Sequence, residues 1–124
     1  MKAMLSIKPE YVERIMSGEK RYEFRRRTFK RDDVDAIVIY ETSPVQMVVG
    51  EAEVTGILAA DPATLWERTG DKAGISYEDF MDYYRGRTIG YAITLGEIRR
   101  YPVPRPLSDW DGMKAPPQSF AYVQ

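Results

Sequence analysis

No cysteine and no histidine occurs among the 124 residues. The first absence excludes disulfides, thiolate metal sites and a cysteine nucleophile. The second removes the commonest zinc ligand and the side chain that most often acts as general base near neutral pH. A Ser-His-Asp triad is therefore impossible, and any chemistry rests on lysine, carboxylates, tyrosine, serine or threonine, or on an oxygen-bound divalent ion. No motif calls for a cofactor or a metal, and none is expected. No apolar run approaches the roughly 20 residues of a membrane-spanning helix. Met1 to Ile7 is too short and too mixed for a signal peptide, so the expectation is a cytoplasmic protein without a membrane partner.

An apolar fraction of 44% and a charged fraction of 30% are ordinary for a globular protein. The length suits one domain spanning 1–124 with a modest core. The net charge of −1 hides an asymmetry. Residues 1–31 carry ten Lys or Arg against four Glu, a surplus of +6, whereas the remainder carries eight basic and fifteen acidic residues, a deficit of −7. One end of the chain can attract a polyanion although the whole cannot.

KAMLSI reads as an opening strand and KPEYVERIMSG as a helix, with Pro9 in its first turn, a stripe of Val12, Ile15 and Met16, and Gly18 at its end. Strand patterning follows at 20–26 and at 34–40, the latter rich in β-branched residues. Residues 46–60 are long for a single strand, and Gly50 and Gly56 predict a bulge or bend. Asp61-Pro62 opens a short helix that Gly70 ends, and Ser76 with Asp79 caps another running through Phe80, Tyr83 and Tyr84 to Gly86. TIGYAITLGEIRRYPVP returns to strand, with Ile89, Tyr91, Ile93 and Leu95 on one face. Trp66, Phe80, Tyr83 and Tyr84 fall at core spacing, and Trp110, between two aspartates that repel phosphate, reads better as a loop anchor than as a base-stacking platform. Short strands with glycines and early and central helices predict an α+β fold, a small, strongly bent, mixed β-barrel with short helices packed on it.

The stretch GEKRYEFRRR, 18–27, places Tyr22, Phe24 and Arg26 on one face of a strand and Arg21, Glu23, Arg25 and Arg27 on the other. Neighbouring cations keep Glu23 ionised. Lys20 points away from Glu23 in an ideal strand, though a twist at the strand start brings the two together. Either this is a solvated charged face, its pairs contributing ~0 to 1 kcal/mol each, or Arg25 to Arg31 form a phosphate-binding strip.

GEKRYEFR matches the G-x-K-x-x-E-x-R signature of ASCH domains, which belong to the PUA-like group, through Gly18, Lys20, Glu23 and Arg25. LSIKPEYVERIMS resembles the family's opening strand and helix. IYETSPVQMVVGEAEV, LWERTG, FMDYYRG and PPQSFAY extend the resemblance to practically the whole chain, and resemble a subgroup described as predicted transcriptional regulators. No separate helix-turn-helix fits beside the barrel in 124 residues. The resemblance implies a β-barrel with a cleft, lined by Lys20, Glu23 and Arg25, that takes RNA or a nucleotide-like ligand. Some small relatives are amidohydrolases acting on N4-acetylcytidine through a lysine, a threonine and a glutamate. Lys20 matches that lysine, but Glu23 stands at the threonine position. Thr28, Thr42 or Ser43 are candidate substitutes for the hydroxyl, and Glu78 for the acid.

The expected ligand-binding set is Lys20, Glu23, Arg25, Arg26, Arg27, Tyr40, Ser43, Gln118 and Ser119, with Lys20 and Glu23 catalytic if the protein is an enzyme. Lys20 serves as base or phosphate ligand, and Glu23 accepts from a base edge or orients water. Tyr40 and Ser43 end a strand at a turn that either reaches a barrel mouth or packs locally. Gln118 and Ser119 either present polar groups to a base or seal the barrel.

Overall fold

The computed structural model describes residues 1–124. Six strands, β1 (Lys2–Ile7), β2 (Tyr22–Arg25), β3 (Ala36–Glu41), β4 (Met47–Ala60), β5 (Gly90–Arg105) and β6 (Ala121–Val123), are interspersed with helices α1 (Pro9–Ser17), α2 (Pro62–Thr69) and α3 (Tyr77–Tyr83). They form one mixed sheet in the order β2-β5-β4-β3-β1-β6. β1 runs parallel to β3, and the other neighbours are antiparallel. The helix starts follow the local code: Asp61 accepts from the Thr64 N–H, Ser76 accepts from the Asp79 N–H, and the chain leaves α1 at Gly18 with φ 85°. Gly70 does not stop its helix with a left-handed turn; it stays right-handed and the chain continues as a 3-10 turn over Gly70–Lys72. No helix is long and apolar enough to cross a membrane.

The apolar runs are explained by burial on both faces of the sheet. Ala3, Leu5 and Ile7 of β1 and Ile37 and Ile39 of β3 pack with Val12 and Ile15 of α1 in the main core. Met4, Val38 and Tyr40, alternating with them, turn to the opposite face and are covered by Tyr101 and Trp110. A third cluster, Phe24, Leu65, Phe80, Tyr84 and Ala92, fixes α2 and α3 against β2 and β5. In β5, Ile93 and Leu95 enter the main core as the alternation predicts, but Ile89 precedes the strand and is exposed.

The segment 46–60 is one fourteen-residue strand, and its bends are register shifts against β5 at Val48/Gly50, Ala52/Val54 and Val54/Gly56. At Gly50 the strands approach so closely that a Cβ would lie 2.6 Å from the Arg99 carbonyl oxygen.

This bending carries the sheet round until β2 and β6, its two edges, face each other. The backbone ladder does not join them, because β2 is four residues long, β6 three, and residues 26–35 leave the sheet. Side chains close the seam. Arg25 donates to the carbonyls of Ser6 (3.0 Å) and Ser119 (3.2 Å), Phe29 packs edge-on against Phe120, and the Tyr122 hydroxyl accepts the N–H groups of Lys30 and Arg31.

A lysine at position 25 keeps the charge, but its three donors radiate from one nitrogen and do not span the acceptors that Arg25 meets through Nε, Nη1 and Nη2. Arg25→Lys is expected to cost about 1 to 3 kcal/mol, read as a lower urea midpoint, and to speed amide exchange in β6 more than in β3. A variant with wild-type stability and exchange contradicts the role of Arg25 in the seam.

Candidate functional site

The start of β2 is built by two backbone anchors. The Lys20 N–H donates to Arg14 O at 2.9 Å and the Arg21 N–H to Lys72 O at 2.8 Å. Residue 20 therefore lies between the last turn of α1 and the 70–74 turn, before strand alternation begins at Tyr22. Its stem is clamped by Gly74, where φ is +64° and a Cβ would lie 2.4 Å from the Lys20 Cβ. Only glycine fits there without displacing the lysine.

Lys20 is 2% exposed. Its Nζ donates to Ala73 O at 2.8 Å and sits 4.7 Å from the Phe24 ring centre and 5.1 Å from that of Tyr11. It has no ion-pair partner. Burial disfavours the ammonium form; the Glu23 carboxylate opposes that effect, Arg14 and Arg25 reinforce it, and the pKa falls to about 8.

Glu23, 6% exposed, lies on the same side. One oxygen, Oε2, accepts from Arg25 Nε at 3.0 Å and Nη2 at 2.8 Å; Oε1 accepts nothing from the protein. Arg25 is thus shared between the seam and this carboxylate.

Lys20, Glu23, Arg25 and Arg26 line one cleft of ≈ 510 Å³, within the range of small-ligand sites. Its walls were not all foreseen. α1 contributes Tyr11 and Glu10, and α3 contributes Asp79, Asp82 and Tyr83. Glu78, the acid anticipated from this helix, is exposed and outside the cleft. Asp79 and Asp82 were legible as an i, i+3 pair on one helix face, and Tyr11 as the flank of the α1 stripe. The Tyr11 hydroxyl is held above its usual pKa, by burial first and then by Glu10 and Asp79; burial does the same to Tyr83.

The lining is charge-balanced: Lys8, Lys20, Arg25 and Arg26 stand against Glu10, Glu23, Asp79 and Asp82. Of the anticipated basic strip, Arg26 donates to Tyr83 O at 2.9 Å and stacks 4.3 Å from the Tyr83 ring centre. Arg31 is paired with Asp33. Arg27 and Lys30 are exposed, and Arg27 does not line the cleft.

Tyr40 is buried in the second cluster, and Ser43 is exposed in the turn after β3; neither reaches the cleft. Gln118 is exposed. Ser119 contributes its carbonyl to Arg25, and neighbouring Pro117 O accepts the Ser6 hydroxyl at 2.7 Å, so this segment seals the seam. Trp110 anchors its loop in the second cluster, with the Arg105 guanidinium 4.5 Å above its ring.

A second cleft of ≈ 500 Å³ lies over that cluster; part of its charge is paired internally, while Arg99, over the Tyr101 ring, and Asp111 have no ion-pair partner. Lys2 and Tyr101 both bind Glu51, at 2.8 and 2.7 Å, and Arg105 binds Asp109 at 3.0 Å. No group of three or more carboxylates is placed to hold a metal ion.

The ASCH domain pattern matches residues 5–115. A protein of Zymomonas mobilis described as an ASCH domain-containing ribonuclease is 35% identical over 128 aligned residues, which cover 98% of this chain and 84% of that protein. The crystal structure of ASCH from the same organism superimposes with a TM-score of 0.91 at 33% identity, over 99% of this chain and 87% of that one. A crystallised tyrosine-to-phenylalanine mutant gives the same TM-score at 32% identity, over 99% and 90% of the two chains.

The lowered pKa of Lys20 has a sign that stability measurements can read. The folded value, about 8, lies below the ordinary 10.5, so between these limits the unfolded chain binds more protons and stability rises with pH. Below pH 8 the buried ammonium is a full cost. Lys20→Met is expected to stabilise the fold at pH 7, by up to about 3 kcal/mol, and by clearly less at pH 10. Urea melts at the two pH values check this; an effect of the same size at both contradicts the lowered pKa of Lys20.

Proposed function

The chain belongs to the ASCH domain family, and from that premise we propose that its cleft takes up one unpaired nucleotide of an RNA strand and presents it to Lys20 and Glu23. The observation that carries this reading is Lys20 itself, a buried lysine without a carboxylate partner in the same hollow as a carboxylate with one oxygen free. An uncompensated buried cation is costly and is concentrated at functional sites.

The balanced lining orients such a ligand. Phosphate is repelled by Glu10, Asp79 and Asp82 and attracted by Arg25 and Arg26, so the backbone runs along the arginine side. The base lies toward the acidic wall, where carboxylates accept from its N–H groups. Tyr11 and Tyr83 supply ring surface for stacking, as single-stranded RNA sites commonly do. The RNA polymer enters the proposal through the Zymomonas mobilis relative, which is described as a ribonuclease.

Cleavage needs little more from these residues. An unprotonated Lys20 amine removes the proton of a ribose 2′-hydroxyl, that oxygen attacks the adjacent phosphorus, and the bond to the 5′-oxygen breaks, the leaving oxygen taking a proton from water. A pKa of about 8 leaves a useful fraction of amine near neutrality, and Arg25 faces the charge that develops on phosphate.

The amidohydrolase reading uses the same lysine but lacks a nucleophilic hydroxyl. Thr28, Thr42 and Ser43 do not line the cleft, and Ser6, which does, donates its hydroxyl to Pro117 O. The finer likeness to transcriptional regulators finds no carrier either, since the three helices are nine, eight and seven residues long.

Labelled single-stranded RNA tests the proposal. Binding is expected to weaken about tenfold between 50 and 200 mM salt, the response of two to three phosphate contacts. Cleavage is expected to rise toward pH 8 and to be lost in Lys20→Met, with binding kept. Salt-independent binding, or cleavage that survives Lys20→Met, overturns it; turnover of N4-acetylcytidine without action on RNA moves the assignment to the amidohydrolase.

A further inference from the structure

One stretch of sheet edge is left without protection. β3 accompanies β4 only as far as the pair Ala36 and Glu53, and the Val54 N–H is taken by Asp35 O at 2.9 Å. Beyond that point β4 runs on to Ala60 with β5 on one side and no strand on the other. Outside the β5 ladder, the main chain of residues 55–60 makes no hydrogen bond. Thr55, Gly56 and Ile57 are exposed in succession, although neighbours in a strand point to opposite faces. A Cβ on Gly56 would meet open space.

The other edges are guarded. β2 and β6 are four and three residues long and are bridged by Arg25. Past Leu95, where β2 no longer accompanies it, β5 carries Glu97, Arg99, Arg100, Pro102, Pro104 and Arg105. Charge and proline on an edge keep a sheet from adding a further strand. Thr55-Gly56-Ile57-Leu58-Ala59-Ala60 has neither.

We propose that this edge of β4 is an interaction surface for a second copy of the chain, the two β4 strands pairing antiparallel about a twofold axis at Ile57. An uncharged edge brings no like charges together when it meets itself, and it offers no charge with which to select a foreign strand. Symmetry then fixes the register. Directly opposed residues of an antiparallel pair share a face, so a twofold axis normal to the sheet passes through a pair of identical residues. The bare stretch is bounded by the Asp35 carbonyl at Val54 and by Asp61, the cap of α2, and Ile57 is the centre of residues 55–59. Ile57 then faces its own copy, Gly56 faces Leu58 and Thr55 faces Ala59. The two Ile57 side chains, each 39% exposed in the single chain, cover one another on the face where Ile57 adjoins Ile93 of the main core. The acidic flanks lie outside this ladder: Asp61 is held by its cap, and Glu53 accepts the Glu97 N–H at 3.3 Å. So short a ladder buries less than the roughly 1,200 Å² at the lower end of stable interfaces, and the dimer is accordingly weak.

Sedimentation velocity from about 20 μM to about 1 mM protein reads the association by mass action. The wild type is expected to move from monomer toward dimer across this range and Ile57→Lys to stay monomeric. An equimolar mixture of Ile57→Lys and Ile57→Glu is expected to regain the dimer, because opposite charges then meet at the axis. Urea midpoints near that of the wild type show that the variants fold. The chain has no cysteine of its own, so Ile57→Cys adds a single thiol. Opposed Cα atoms in an antiparallel pair lie about 4.5 or 5.5 Å apart, within the span of a disulfide. Under mild oxidation Ile57→Cys is expected to form linked dimer about tenfold faster than Val103→Cys, a more exposed site on the guarded edge of β5.

A wild type that stays monomeric at about 1 mM, well above the range of most specific contacts, overturns the proposal and leaves the edge to a strand of another protein. So does Ile57→Lys that dimerises like the wild type, a mixture that stays monomeric, or a thiol at 57 that links no faster than one at 103. None of these outcomes touches the cleft reading.

Discussion

The Arg25 guanidinium is the contact on which the rest of this structure depends. With one rigid fork it binds the Glu23 carboxylate at 2.8 and 3.0 Å, the Ser6 carbonyl of β1 and the Ser119 carbonyl just ahead of β6. A charged, planar fork of three nitrogens spans acceptors set further apart than the single nitrogen of an ammonium can reach. The sheet is thereby closed across a gap that its backbone leaves open, and one oxygen of Glu23 is fixed while the other faces the cleft. Closure of the fold and orientation of the site are the same interaction.

That arrangement makes room for a second, less comfortable feature. Lys20 is driven into the floor between Tyr11 and Phe24, and what stabilises it there is modest: one carbonyl, two aromatic faces and the field of Glu23. Three apolar clusters supply the stability that tolerates the cost. Gly74 makes room for the lysine stem, since a Cβ there would lie 2.4 Å from the Lys20 Cβ. Local penalties maintained by surrounding packing are concentrated at functional sites.

Charge is distributed with a direction. Inside the cleft, cations and carboxylates balance. Beyond Tyr83 the balance tips to arginine, on a molecule whose net charge is −1. Screening over a distance of about 8 to 10 Å makes that local surplus, and not the overall charge, the field that a charged group approaching this face meets.

Much of this was legible along the chain because it is local physics. Proline in the first turn and Gly18 at the end fixed α1, Asp61 and Ser76 fixed the starts of α2 and α3, and alternation separated Phe24 from Glu23 and Arg25. G-x-K-x-x-E-x-R named the three residues that do line the cleft. Alternation had no authority over Lys20, which precedes the strand. Tyr40 went to the second cluster because β3 is buried on both faces, which a single apolar run does not reveal. The acidic wall, the clamp of Gly74 and Ala73 on Lys20, and the contact of Arg25 with Ser119 were decided only by the tertiary structure. They join groups 53 to 94 positions apart, and distances of that order are set by how the sheet bends and where the helices dock, not by any short-range preference of the residues themselves.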